Sequence, residues 1–320
     1  MKNKLILGLL IGAILTYLSV RGIHFQDVMH GFRTIKYEYV LPALMIFFFM
    51  QVLRSWRWGV ILSPIEKVDQ MSLFSVTSIG FLAIVAIPAR IGELARPYLI
   101  TKKSQIKMTA ALGTVFIERI FDSLTVLSIF VFVLFFTPLP PWLIKASLIF
   151  SLVIMVIFTI MILLIFKRDV FISVLNPFIK RLPVKYVTRI TPLIDHFIDG
   201  FTIVTNPVRF LVVVFLSALI WVINGGAIYL LFLAFGFQLS LLAAFVLMII
   251  LMVGIAIPAA PGYVGNWHYF CILGLTLFGI NKTDALTFAV IYHFLSMGVV
   301  IFLGLIFLPF NKFSLADLQK

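Results

Sequence analysis

Apolar and polar residues alternate along this chain in long blocks. Apolar runs occupy Leu5–Val20, Tyr39–Leu53, Thr109–Phe136, Leu143–Phe166, Val208–Phe235 and Asp284–Pro309, with polar or turn-forming residues between them. A helix needs roughly 20 apolar residues to cross the hydrocarbon of a bilayer, and these six runs are the expected crossings. The first follows a short basic start at Met1–Lys4. Because Leu18-Ser19-Val20-Arg21 lacks a small-x-small cleavage pattern, it reads as an uncleaved helix. Two other apolar runs break instead of crossing. Leu73–Ile87 has 15 residues and stops at Pro88, and Leu241–Ile257 stops at Pro258-Ala-Ala-Pro261-Gly262, with only Tyr269–Phe278 apolar beyond it. Both are expected to be re-entrant hairpins that dip into the bilayer from opposite sides.

Two segments pattern as surface helices. Phe25, Val28, Met29 and Phe32 recur at helical spacing on the outer side, as do Ile190, Leu193, Ile194, Phe197 and Phe201 on the inner side. The expected fold is therefore an all-α polytopic membrane protein. It has about six full spans plus two opposed re-entrant hairpins, in a single integral membrane domain over residues 1–320. Span, hairpin, span occurs twice with opposite orientation, which is the order of an inverted repeat.

Charge fixes the orientation. With both termini inside, 19 of the 25 lysines and arginines fall on cytoplasmic segments, five fall outside, and Arg119 lies within a span. Arg54-Ser-Trp56-Arg57-Trp58, at the end of the second span, reads as a headgroup-level marker of tryptophan and arginine.

Composition agrees and narrows the chemistry. Hydrophobic residues make up 62% of the 320 and charged residues 12%, which leaves nothing for a sizeable soluble domain. The net charge of +13 comes from basic residues scattered over loops, so no nucleic-acid partner is expected. Cys271 is the lone cysteine, which excludes an internal disulfide and a thiolate metal cluster. There is no HExxH and no P-loop, so neither metal, nor cofactor, nor catalytic activity is expected.

The unusual charges sit in and after the first broken run. Arg90, Gly92, Glu93 and Arg96 lie between Pro88 and Pro97. In the next span Thr114, Glu118, Asp122 and Thr125 share one helical face, with Arg119 aside, and the length of that span leaves the inner headgroup level open as an alternative place for Glu118 and Arg119. Ionisable residues at membrane depth mark functional sites by default. Arg90 and Arg96 offer planar donor forks that suit phosphate oxygens. Glu93 either orients them or forms a structural ion pair with one of them at spacing three. Glu93, Glu118 and Asp122 are the expected resting partners of Arg90, Arg96 and Arg119. His268 and His293 read as hydrogen-bonded core or interface residues.

At these residues the chain resembles the transmembrane, flippase-like region of the lysylphosphatidylglycerol synthase/flippase family. The matching motifs are Leu53-Arg-Ser-Trp-Arg57-Trp58, Pro88-Ala-Arg90-Ile-Gly92-Glu93-Leu-Ala-Arg96, Glu118-Arg119-Ile-Phe-Asp122, and Pro258-Ala-Ala-Pro261-Gly262 with Gly265. The resemblance implies an inner-membrane protein that moves an anionic or modified lipid, of aminoacyl- or polyprenyl-phosphate type, between leaflets. It implies no synthase domain in this chain. The substrate-binding set it points to is Arg90, Glu93, Arg96, Glu118, Arg119, Asp122, Pro261, Gly262, Gly265 and His268. Two residues depart from the family pattern: His268 stands where an acidic residue is expected, and Tyr263 where a second glycine is common. The alternative is a non-catalytic membrane partner of an envelope lipid or glycan biosynthesis enzyme, for which the charges would only join helices.

Overall fold

A computed structural model describes residues 2–87, 92–166, 195–257 and 260–311, and these are helical nearly throughout. Arg90, Pro258 and most of the expected inner-surface helix, including Ile190, Leu193 and Ile194, lie outside the described residues. The helices are α1 (Lys2–Val20), α2 (Phe25–Arg33), α3 (Tyr37–Leu62), α4 (Gln70–Ala86), α5 (Ala95–Thr101) and α6 (Met108–Phe136). After them come α7 (Pro141–Phe166), α8 (Pro207–Ala234), α9 (Leu241–Ala256), α10 (Asn266–Thr276) and α11 (Lys282–Phe307).

Polar caps start several of these helices where the apolar runs begin. Asp69, Asn206, Ser240 and Asn281 each accept the backbone N–H three residues on, at 2.8, 3.0, 3.3 and 2.9 Å. The bond from Ser72 holds the Asp69 carboxyl below its ordinary range. Among the described residues, five helices are long and apolar enough to cross a membrane: α3, α6, the Pro141–Leu163 part of α7, α8 and α11. The sixth expected crossing is α1, whose Leu7–Val20 part is a shorter apolar helix. Large apolar side chains face outward on the spans. On α7, Leu148, Ile149, Leu152 and Val156 are all exposed, the reverse of a soluble core.

The two broken runs fold back on themselves as antiparallel helical hairpins. In the first, Gly92 lies on the backbone of Ala83, Gly80 on the side chain of Arg96, and Lys103 Nζ donates to Ser75 Oγ at 3.4 Å. In the second, Gly254 lies on Phe270, and Gly274 on Leu247 and Ile250. The tips converge: α4 touches the 3-10 turn Pro261–Tyr263 of the second hairpin.

The spans then pair across the two halves. Helices α3 and α8 lie antiparallel, held by Lys36 N–H to Ala234 O (2.9 Å) at one end and Arg57 to Ser217 (2.8 Å) further along. Helix α4 packs on α11, where Gly304 meets Leu82 and Asn311 meets Ser75. Helix α9 packs on α6 in the corresponding way. Each hairpin thus leans on the final span of the other half.

Helix α3 runs nine residues past the expected end at Leu53. Arg54 and Arg57 are therefore part of a membrane helix and do not mark its end. Arg57 is 1% exposed, while Trp56 keeps an outward face. The run continues because carboxylates on α6 neutralise the arginine.

Gly92 gives the clearest steric test of the first hairpin. A Cβ there would lie 2.2 Å from the Ala83 backbone, whereas one at Gly226 in α8 meets nothing within 4 Å. Gly92→Ala should destabilise the purified protein by about 1–3 kcal/mol through overpacking. Gly226→Ala should leave the melting temperature near wild type, and equal melting of the two variants would contradict the close approach.

Candidate functional site

The site is built on the face of α6 that carries Thr114, Glu118 and Asp122. Burying a carboxylate in a lipid-embedded bundle is costly unless cations and hydrogen bonds surround it. Glu118 is fully buried and has two such partners. Arg96, from α5, reaches it with both terminal nitrogens, Nη1 to Oε1 and Nη2 to Oε2, each at 2.9 Å. Arg57, from α3, adds a contact from Nη2 to Oε1 at 3.2 Å. The same arginine holds Asp122 in a second fork, at 2.6 and 3.2 Å. Trp221 of α8 donates its indole N–H to Asp122 at 2.9 Å, and Ser217 stands 2.8 Å from Arg57.

Aromatic faces complete the shell. The guanidinium of Arg96 lies 4.2 Å from the ring centroid of Trp58, whose indole N–H donates to Thr114 at 3.1 Å. Gly80 makes room for this arrangement, since a Cβ there would lie 2.1 Å from Cγ of Arg96. Of the two ion pairs open to Glu93 at spacing three, the one with Arg96 is not observed, and Arg90 lies outside the described residues. Arg96 belongs to Glu118, and Glu93 faces Arg119 at 4.0 Å.

A cavity of about 650 Å³ opens beside this network. Its polar end carries Arg54, Glu93, Arg119 and Asp122, and its walls are apolar residues of α6, α7, α9 and α11, such as Phe130, Phe150, Met252 and Val300. Arg119 is 36% exposed and stands 4.0 and 3.9 Å from the carboxylates of Glu93 and Asp122, beyond hydrogen-bond distance. Arg54 is bonded to Gln51 at 2.8 Å and lies over the ring of Phe81. Arg57, Arg96 and Glu118 stand behind the cavity and do not line it.

The second hairpin supplies a lid-like wall. Gly262 and Tyr263 adopt φ of 66° and 58°, the left-handed region, so Tyr263 holds a backbone conformation that glycine takes at less cost. Gly265, at φ 88°, packs on the carbonyl of Gly12 in α1. His293 of α11 donates Nε2–H to the Gly262 carbonyl at 2.7 Å, and the ring of His268 lies 4.9 Å away. Pro261, Gly262, Gly265 and His268 shape this tip. Tyr263 and Trp267 are the tip residues that reach the cavity wall.

Arg54 and Arg57 are the residues that the sequence reading did not select. Two carboxylates one turn apart on α6 call for cations, but nothing local in the chain separates Arg57 from an arginine at a helix end. Among the described residues, no group of three or more histidine, cysteine, aspartate or glutamate side chains is placed to hold a metal ion.

An all-helical, multi-pass membrane protein with a charged centre beside an apolar cavity is thus defined. The chain belongs to the family described as the lysylphosphatidylglycerol synthase TM region, whose sequence model matches residues 5–304. It is similar to a UPF0104 membrane protein of Methanothermobacter thermautotrophicus, with 24% identity over 99% of this chain and 98% of the relative. A UPF0104 membrane protein of Methanocaldococcus jannaschii is 27% identical over 69% of this chain and 90% of its own length. A further UPF0104 membrane protein of Methanothermobacter thermautotrophicus is 27% identical over 83% of this chain and 81% of its own. No solved structure matches the chain.

Removing the shared carboxylate tests the network. Glu118→Ala leaves Arg96 without its bidentate partner and Arg57 with Asp122 alone. Breaking a buried pair from one side costs about 3–5 kcal/mol. The melting temperature of the purified variant should fall well below that of Glu93→Ala, whose carboxylate makes only a long contact. A stable Glu118→Ala protein would mean the network does not hold these helices together.

Proposed function

We propose that the protein moves an anionic or modified lipid between the leaflets of the cell membrane, acting as a translocator and not as an enzyme. The supporting observation is the cavity: a polar end with two arginines outside the tight ion pairs, and apolar walls of about 650 Å³ in all. A headgroup and part of an acyl chain suit such a space, because the guanidinium forks meet phosphate and the walls meet hydrocarbon.

The fold supports the same reading. Two antiparallel hairpins whose tips converge, each packed on the last span of the opposite half, is the arrangement expected of inverted repeats around a midplane site. In this reading α1 crosses as well, the hairpins are re-entrant from opposite sides, and both termini are cytoplasmic. Aminoacyl- and polyprenyl-phosphate lipids are the candidate classes, and a partner enzyme of lipid modification would supply or consume them.

The topology is tested by labelling single cysteines in a Cys271→Ser background. Lys103→Cys and Lys67→Cys should react with an impermeant maleimide from the cytoplasmic side only, and Asn281→Cys from the outside only. Labelling of Lys103→Cys from outside would overturn the hairpin orientation. Function is tested by dithionite protection of fluorescent lipids in proteoliposomes. Wild type should speed their movement between leaflets, and a protein that moves no lipid would instead fit a non-catalytic partner of a biosynthetic enzyme.

A further inference from the structure

We infer that the headgroup this cavity takes is net negative, a phosphate with no ammonium to balance it, and that Arg119 with Arg54 holds it. What the ligand does after binding rests on the translocation reading. The charge preference does not.

Most charges around the site are already committed to one another. Around the site, among the described residues, four arginines (Arg54, Arg57, Arg96 and Arg119) face three carboxylates (Glu93, Glu118 and Asp122). Both oxygens of Glu118 and both oxygens of Asp122 accept from guanidinium nitrogens within 3.2 Å. Those two carboxylates and the two arginines that grip them neutralise one another. The remainder is Arg54 and Arg119 against Glu93, an excess of one positive charge on the cavity side.

The two remaining arginines are also the ones that make no carboxylate contact within hydrogen-bond distance. Arg119 touches its carboxylates only at 3.9–4.0 Å. Arg54 has no ion pair among the described residues, only an amide oxygen and an aromatic face. A phosphate between them would gain charge-assisted hydrogen bonds and cancel the excess charge.

A lysylated or otherwise cationic headgroup meets the opposite conditions. Its ammonium needs a carboxylate, and Glu93 is the one whose lone pairs are not already filled. Glu93 faces Arg119, so an ammonium placed there would lie against a guanidinium, a like-charge contact in a half-buried site. The chain's family name refers to a lysylated lipid, and the electrostatics of this cavity favour its unmodified anionic counterpart.

The test compares three lipids on the full-length protein in neutral detergent, by native mass spectrometry and by thermal shift. They are phosphatidylglycerol (net negative), phosphatidylcholine (zwitterionic) and lysyl-phosphatidylglycerol (net positive). Phosphatidylglycerol should bind about tenfold more tightly than phosphatidylcholine, with the lysylated lipid weakest. Arg119→Gln should bring the first two near parity, and Arg119→Lys should restore much of the preference. Arg54→Gln should show a partial loss, and lipid-free melting of each variant separates lost binding from lost folding. Equal or tighter binding of lysyl-phosphatidylglycerol by wild type overturns the inference without needing any variant. In proteoliposomes, selective binding of phosphatidylglycerol without movement would sink translocation and leave this inference standing. Faster movement of the lysylated lipid would do the reverse.

Discussion

A carboxylate with no exposure to water, in the middle of a helix that crosses lipid, is the constraint on which the other contacts depend. Glu118 cannot stay there alone, and no single neighbouring element satisfies it. Arg96 arrives from the short helix of a hairpin and Arg57 from a span far away in sequence. Meeting both fixes α3, α5 and α6 relative to one another. Arg57 passes the constraint on through Asp122, and Trp221 and Ser217 extend it to α8. Apolar side chains gain little by leaving lipid for protein, so packing and polar contacts must specify which helices meet. Four segments are placed here by one chain of ionic and hydrogen-bonded contacts.

The hairpins solve a related problem. Backbone that is not helical cannot face lipid without partners, and the described residues flanking each break pack against protein. Asn266, itself buried, donates to the carbonyls of Gly254 and Ile257 at the end of α9. His293 donates to Gly262 in the turn. At the first break Gly92 lies directly on the Ala83 backbone, close enough that any side chain would force the helices apart. At the second break the carbonyls of Gly254, Ile257 and Gly262 are therefore matched by polar side chains of α10 and α11.

Much of this was readable from the chain. Runs interrupted by proline gave the hairpins, and spacing of four along α6 gave the shared face of Thr114, Glu118 and Asp122. Arg57 was not readable in the same way, because arginine beside tryptophan is also what a helix end at the headgroups looks like. Only the location of its carboxylate partners, 61 and 65 residues further on, separates the two. The partner of Arg96 was narrowed only to Glu93, Glu118 and Asp122: a local carboxylate at spacing three competed with distant ones, and Glu118 won because Gly80 lets the arginine stem lie against α4. The cavity had no sequence signature at all. Phe150, Met252 and Val300 look like ordinary packing residues until their helices are placed.

The network also separates two kinds of arginine that sequence treats alike. Arg57 and Arg96 are held by short, two-pronged contacts and are shut away from the cavity, so drawing either one toward a ligand would strand a buried carboxylate. Arg119 and Arg54 have weak or neutral partners and stand at the cavity edge, so they can gain a ligand without such a loss. If the protein hands lipid across a membrane, as proposed, it must also let it go, which favours cations whose resting contacts differ little in strength from those to the headgroup. The tight pairs supply a rigid floor, and the loosely held arginines above it supply the exchangeable charge.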